Sequence, residues 1–461
     1  MTFKDLVLSA WGVFFITILL YVPIFIYFAH FEKSVYAPFF PVVRGSDGPA
    51  YAQLAKNLLQ HHVYSISSGE PFVPNTYRAP GYPISVALIL FLFRSFFAVS
   101  FIQIILVSIS GALIFLMARE RMPKSLAFIA SMLYVFEFGV IPMTINIVSE
   151  TLFVFLLLCC VYGMFFSQSK LKSGAVFGIG LLLGFSVLVR PAGLFVPFLF
   201  IIFYWTLNAR NSLKHVLKNL ALFLFGCALV ILPWIIRNKH VSGHWGLTAQ
   251  FPITILEYNI TNFLADTYKM DPQLVQNKLK QETGIKNPDN FDDMRYAAPI
   301  SRVVLKYLKA YPLQYAQYHF TKELHVFAEG SLGILLNSAP NFKLKLIANG
   351  LLDNKHISVN RLFTRGDYKT IISLIKGQFI LFLDRFRWIA VSIFMLFPLI
   401  IKKGKKRKET LFFLALIICL PFLSATFYGA QYRIPAEPFM LILAMHGIYI
   451  IYRKMIPASF S

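Results

Sequence analysis

The stretch RGSDGPAYAQLAKNLLQ, Arg44 to Gln60, sets a single acid, Asp47, ahead of Gly48 and Pro49. Two roles fit that position. Asp is a favoured helix N-cap and Pro suits the first helical turn, so the side chain can accept a backbone N–H of the helix behind it. A carboxylate at a membrane–water boundary can also take the proton of an attacking hydroxyl, as a general base does. Periodicity by itself favours the cap. The following helix pattern carries Tyr51, Leu54, Ala55, Leu58 and Leu59 on one face, and Gln53, Lys56, Asn57 and Gln60 on the other.

Other ionisable and polar residues stand where apolar runs end. Arg78 precedes a Pro-Gly-Tyr-Pro turn that contains Tyr82, and Glu150 follows Ser149. Arg190 joins two apolar runs, Arg237 and Asn238 close another, and Tyr432 and Arg433 precede the last. Arginines at helix ends often snorkel toward lipid headgroups, which is the plain alternative to a binding role. Ionisable groups at membrane depth are costly when unpaired, so Glu137 and Glu150 must face protein or water. Asp384, Arg385 and Arg387 form a cluster best explained by internal pairing. His319 and His325 are not i, i+4 neighbours, no acid completes a zinc motif, and no protein-held metal is expected. The triplet Asn259-Ile260-Thr261 matches a glycosylation acceptor pattern that also arises by chance.

The elements that carry these residues are membrane helices. Of 461 residues, 57% are hydrophobic and 14% charged, and the mean hydropathy is +0.63. Apolar runs close to the roughly 20 residues needed to cross a bilayer recur along the chain. The expected fold is an all-α polytopic membrane protein with about ten transmembrane helices, interfacial helices and a mainly helical outer segment. The first run, Val7 to Ala29, is too long for a signal-peptide core and is read as a retained helix. Further helices are expected near 99–117, 126–141, 147–166, 175–189, 194–207, 220–236, 378–401, 411–428 and 439–452. Residues 81–97 are apolar but broken by Arg94, and are read as interfacial or re-entrant.

A formal charge of +23 raises the question of nucleic acid, but the distribution answers it. The dense basic runs, such as KKGKKRKE from Lys402, sit in short loops and mark the cytoplasmic face. No nucleic-acid role follows. This parity leaves PMTINIVS, RPAG and GAQYRIPAEP on the outer side. It divides the chain into a membrane module, 1–236, whose first outer loop spans 30–97; an outer cap, 237–377; and closing helices, 378–461. The four cysteines lie in apolar runs and read as small core residues.

An outer Asp, an amphipathic helix, then Arg78 and the PGYP turn resemble the first outer loop of the GT-C glycosyltransferases. The likeness is to the branch of dolichyl-phosphate-mannose protein mannosyltransferases and aminoarabinose transferases. Ser149-Glu150-Thr151, Arg190-Pro191, PWIIRNKHVSGHWG from Pro233 and QYRIPAEPFMLILA from Gln431 follow in matching order. The resemblance covers the first half and the final helices; the cap shows little of it. It implies a catalytic base at Asp47 and a sugar donor carried on a polyprenyl phosphate. Many members follow this Asp with a second acid, where this chain has Gly48.

A lipid-phosphate donor accounts physically for the arginines, because a guanidinium offers phosphate a planar, permanently charged fork. Arg237 and Arg433 are the favoured clamps and Arg78 a third, with Tyr51, Tyr82, Glu150, Arg190, Asn238 and Tyr432 in support. For Arg78 and Arg190 snorkelling stays open. The implied reaction is an inverting hexosyl or pentosyl transfer, without a resident cofactor, in the plasma membrane. It would run from a polyprenyl-phosphate sugar to a hydroxyl of a glycolipid, glycan or protein on the extracytoplasmic side. The rival is a transporter or flippase of lipid-linked sugars, which tends to show paired halves and midplane polar sites. No inverted repeat is visible here.

Overall fold

The computed structural model describes residues 8–31, 47–166, 172–209, 211–285, 293–348, 352, 379–401, 404–424 and 429–455. Among these residues every regular element is helical. Arg44 to Ser46, most of the run at Ser169 to Ser173, Lys402 and Lys403, the 353–377 part of the cap and Gln378 lie outside them.

The membrane module begins with α1 (Ala10–Phe31). An amphipathic helix, α2 (Gly48–Gln60), and an apolar one, α3 (Gly81–Phe93), follow. Then come α4 (Phe96–Arg119), α5 (Lys124–Val135), α6 (Val140–Ile145), α7 (Glu150–Val161) and α8 (Ser173–Val189). The module closes with α9 (Val196–Leu207) and α10 (Leu213–Ser242). Three of these, α1, α4 and α10, are long and apolar enough to cross a membrane by length and composition. The other apolar helices are shorter. Helix α3, at 13 residues, reaches only about 20 Å. Its end is sharp: Arg94 takes a left-handed conformation, and Ser95 caps α4 by accepting from Phe97 N.

Several boundaries differ from the hydropathy reading. The expected helix over 126–141 is two, because the chain turns at Phe136–Gly139 so that Glu137 can face inward. Helix α10 runs 30 residues, past both ends of its apolar run. Nothing in RNKHVS stops a helix; Gly243, with φ of +75°, does. The composition shift at 236/237 therefore falls inside a helix, and Arg237 lies one turn and more before its end.

Close helix packing sets the site. Helices α8 and α10 cross backbone to backbone: a Cβ on Gly180 would stand 2.3 Å from the Phe223 carbonyl oxygen, and one on Gly184 would stand 2.9 Å from that of Cys227. Gly81, at the start of α3, is similarly pressed on the end of α8, where a Cβ would come within 2.5 Å of Val189 N. These contacts bring Arg78, Arg190 and Arg237 to one end of the bundle.

The cap folds as α11 (Gln250–Thr254), α12 (Thr261–Tyr268), α13 (Pro272–Glu282), α14 (Ala297–Ala310), α15 (Pro312–Ala328), α16 (Leu332–Ser338) and α17 (Pro340–Ala348). The periodic stretch 297–327 becomes α14 and α15, broken at Tyr311. Residues such as Ile253, Leu256, Ile260, Phe263, Leu279 and Ile300 form a core separate from that of the membrane module. Asn259 is 1% exposed within it, so its triplet offers no accessible glycosylation acceptor. The chain closes with α18 (Phe379–Phe394), α19 (Lys405–Ser424) and α20 (Glu437–Met455), whose inner faces join the main core.

Candidate active site

Asp47 occupies the N-cap position of α2, yet its side chain makes no cap hydrogen bond. Instead Arg78 Nη2 donates to Asp47 Oδ1 at 2.7 Å. The Asp47 side chain stays 39% exposed while that of Arg78 is 12% exposed, so the carboxylate is the accessible half of the pair. The guanidinium lies 5.4 Å over the Tyr51 ring and 4.9 Å over that of Tyr77. Burial pulls the Arg78 pKa down, but Asp47 and the neighbouring tyrosines outweigh it and the net shift is upward. Arg78 stays charged.

The loop that carries Arg78 is tied down from both sides. Asn75 Oδ1 accepts from Arg78 N at 2.9 Å, a local turn that Asn makes readily. The Tyr64 hydroxyl meets the carbonyls of Arg78 and Ala79. Arg237 Nη1 then donates to the Asn75 carbonyl at 2.7 Å, while its guanidinium covers the rings of Trp234 at 4.7 Å and Tyr64 at 5.5 Å. Asn75 thus joins the two arginines, one through its side chain and one through its backbone. Asn238 holds the far side by donating to Gly246 O and Leu247 O, and accepts from Arg237.

A second pair lies behind Tyr51. Arg190 Nη1 stands 2.6 Å from Glu150 Oε1 and 3.5 Å from Ser149 Oγ. The buried Tyr51 hydroxyl bonds to the Ser149 side chain and feels the charges of Arg78, Asp47 and Glu150. Burial raises its pKa, with Arg78 opposing, so it remains a neutral donor. The Tyr51 ring meets Tyr82 edge-on at 4.9 Å, and Tyr82 donates to Gln103 Oε1 at 2.8 Å. Tyr432 lies within electrostatic reach of Arg190. Asp47, Tyr51, Arg78, Glu150 and Arg190 therefore form one connected group, with Arg237 and Asn238 beside it.

Arg433 is a correction. The sequence reading made it a second phosphate clamp with Arg237, whereas its side chain is wholly buried. Nε donates to Glu437 at 3.1 Å, Nη2 to Ser331 Oγ at 2.9 Å, and Nη1 to the carbonyls of Val326 and Glu329. Its guanidinium lies 3.7 Å over the Trp388 ring. A side chain so engaged has no face left for a ligand. The same interior holds the expected pairing of Arg387 with Asp384 at 2.6 Å. Glu137, which position alone let reach the interface, is fully buried and also lies 2.6 Å from Arg387.

Residues 78–236 match the family model described as dolichyl-phosphate-mannose-protein mannosyltransferase. No curated protein matches the chain in sequence. Among solved structures, the oligosaccharyltransferase of Archaeoglobus fulgidus in its apo form aligns over 97% of this chain and 51% of its own, at TM-score 0.52 and 13% identity. The chain has the GT-C fold. A second structure, the archaeal oligosaccharyltransferase AglB from Archaeoglobus fulgidus with an inhibitory peptide and a dolichol-phosphate, aligns over 96% of this chain and 50% of its own. Its TM-score is 0.50 at 13% identity. This chain thus spans about half the length of these relatives. The matched stretch of the GT-C fold contains Arg78, Glu150 and Arg190; Asp47, Arg237 and Arg433 lie outside it.

Sequence reasoning missed Asn75, Tyr64, Tyr77 and Trp234. Asn75 left a local signal, an Asn three residues before an Arg in a turn-rich loop. Tyr64 and Trp234 left none, since their contact joins two distant segments.

Proposed function

We propose that this chain is a membrane glycosyltransferase that moves one sugar from a polyprenyl-phosphate donor to a hydroxyl acceptor on the extracytoplasmic side of the plasma membrane. The observation that carries the reading is the Asp47–Arg78 pair, tied through Asn75 to Arg237. One accessible carboxylate is paired with one cation and joined through Asn75 to a second, a charge pattern suited to taking a proton and stabilising a departing phosphate.

The donor phosphate enters between Arg78 and Arg237, whose guanidinium forks match its oxygens. Its charge competes with Asp47 for Arg78, which frees the carboxylate oxygen to meet the acceptor hydroxyl. The acceptor hydroxyl then gives its proton to Asp47 while its oxygen attacks the anomeric carbon. The bond from that carbon to the phosphate oxygen breaks, and its electron pair leaves with the polyprenyl phosphate. One displacement inverts the anomeric centre. Glu150, Arg190, Tyr51 and Ser149 bond to one another beside the Asp47–Arg78 pair and brace it. The donor carries its own activated bond, so no resident cofactor is called for. The basic short loops support the outward orientation.

The test is sugar transfer from a synthetic polyprenyl-phosphate sugar by purified Asp47→Asn protein, with donor binding measured in parallel. Binding retained with transfer reduced about 10²–10⁴-fold supports the reading. Undiminished transfer removes Asp47 from the mechanism. Movement of the intact donor between vesicle leaflets, without cleavage of the sugar–phosphate bond, replaces the transferase with a flippase.

A further inference from the structure

The cap carries a cleft of about 280 Å³ between α13 and α14, lined by Glu282, Thr283, Pro299, Arg302, Val303 and Lys306. Its charges do not balance. Among the described residues Glu282 is the single acid in the lining, and both its oxygens are in use: Lys306 donates to Oε2 and the Tyr307 hydroxyl to Oε1, each at 2.8 Å. That pair sets the Lys306 ammonium at the rim, where its side chain stays 63% exposed. Lys278 adds a field that Glu282 feels. Arg302 is exposed and makes no ion pair among the described residues. Lys309 continues the same face of α14, since 302, 306 and 309 stand at helical spacing.

The cleft is also coupled to the candidate active site. Met294 N donates to Thr76 Oγ1 at 2.9 Å, and Ala249 N donates to Thr76 O at 3.0 Å. The 294–296 turn leads straight into α14. Arg302 then lies about 8 Å along that helix from Ala297. The loop bearing Arg78 and the helix bearing Arg302 therefore share one anchor.

We infer that this cleft binds the phosphate of a phosphorylated saccharide, as a docking subsite for the acceptor. Arg302 supplies the bidentate fork, Lys306 a second charge shared with Glu282, and Pro299 with Val303 an apolar floor for one face of a sugar ring. Its volume lies just below the roughly 300 Å³ at which pockets begin to enclose drug-sized ligands, so it takes one sugar-phosphate unit. The inference rests on the outward, acceptor-facing placement of the cap given above.

Full-length protein in phosphatidylcholine nanodiscs is titrated with glucose 1-phosphate, using glucose and inorganic phosphate as comparators. Saturable binding of glucose 1-phosphate, tighter than of either comparator, is expected. Arg302→Glu should weaken it at least about tenfold and Arg302→Lys less, the effect of losing one charge-assisted contact. Thermal unfolding of both variants should match the unsubstituted protein, because Arg302 is exposed. Equal affinity in Arg302→Glu, or glucose binding as tightly as glucose 1-phosphate, overturns the subsite. A repeat in phosphatidylglycerol discs separates the sources. Loss of glucose 1-phosphate binding there makes a bilayer headgroup the occupant and overturns the saccharide assignment; retained binding supports it. Asp47→Asn should leave this binding unchanged, so failure of the proposed catalysis and failure of the subsite give different results.

Discussion

Arg78 Nη2 and Asp47 Oδ1 stand 2.7 Å apart, so the proposed phosphate ligand and the proposed base neutralise each other before any donor is present. The hydrogen bond from Arg78 occupies one oxygen of the carboxylate and holds it away from an acceptor hydroxyl. On the proposed mechanism, donor binding relieves that restraint by offering Arg78 a second anion, so the base is released only when a leaving group is in place. Arg78→Ala should therefore weaken donor binding by about 1–3 kcal/mol, the range for a hydrogen bond to a charged group. Hydrolysis of donor by water, measured as free sugar, should rise relative to transfer because the carboxylate is no longer held. A variant that binds donor as well as the unsubstituted protein places the phosphate elsewhere.

Asn75 is 7% exposed and serves both arginines. In Asn75→Ala the Arg78 N–H loses its acceptor, while the carbonyl that receives Arg237 remains. The expected destabilisation is about 1–3 kcal/mol, the cost of one orphaned buried donor. Donor affinity should fall with it, because the Arg78 loop shifts. Thermal unfolding in detergent and a donor titration read the two effects separately.

Arg237 and Arg433 should part company on substitution. Arg433→Ala leaves Glu437 uncompensated in the interior and is expected to lower stability by about 3–5 kcal/mol, the range for breaking a buried pair. Arg237→Ala should fold normally and lose donor affinity roughly ten- to a hundredfold. Unfolding midpoints and donor titrations of the two proteins decide the matter. A stable Arg433→Ala protein with selectively weakened donor binding returns Arg433 to the site.

Glu323, on α15 of the cap, is 2% exposed, and neither carboxyl oxygen has a hydrogen-bond partner among the described residues. Burial pushes its pKa from 4.5 up to about 8. The folded state holds this proton more tightly than the unfolded one. Stability from the group is complete below the unfolded value and is lost as pH rises toward 8. Glu323→Gln should remove that loss, so its advantage in unfolding midpoint should widen between pH 5 and pH 8. A difference independent of pH means that the carboxyl is solvated.

Gly180→Leu tests the helix crossing that aligns the arginines. Its side chain has nowhere to go against the Phe223 carbonyl. The expected outcome is loss of folded protein, whereas Gly178→Leu, where a Cβ meets nothing within 4 Å, should be tolerated. Yield and monodispersity after extraction compare the two.

Much of the membrane architecture was legible along the chain because hydropathy is a local property. The apolar runs marked where helices lie, and the period of 297–327 marked α14 and α15. Helix ends were less legible. The apolar run of α10 stops at Ile236, but the helix obeys backbone signals and continues to Gly243. Asp47 shows the same limit at one residue. Its spacing matched an N-cap, and a partner 31 positions away took the side chain instead.

Sequence by itself determined that this is a helical membrane chain. It also determined that Asp47, ahead of an amphipathic helix, is followed in order by Arg78, Glu150, Arg190, Arg237 and Arg433. Which of those arginines can meet a ligand was decided only by the tertiary structure. Arg433 is closed off by Val326, Glu329 and Ser331, which lie 107, 104 and 102 positions away. Arg237 is left half-open by an anchor 162 positions away. A guanidinium is the same chemical group in both places. Its free capacity depends on how many acceptors folding brings to it, and that number is a property of distant segments packed together.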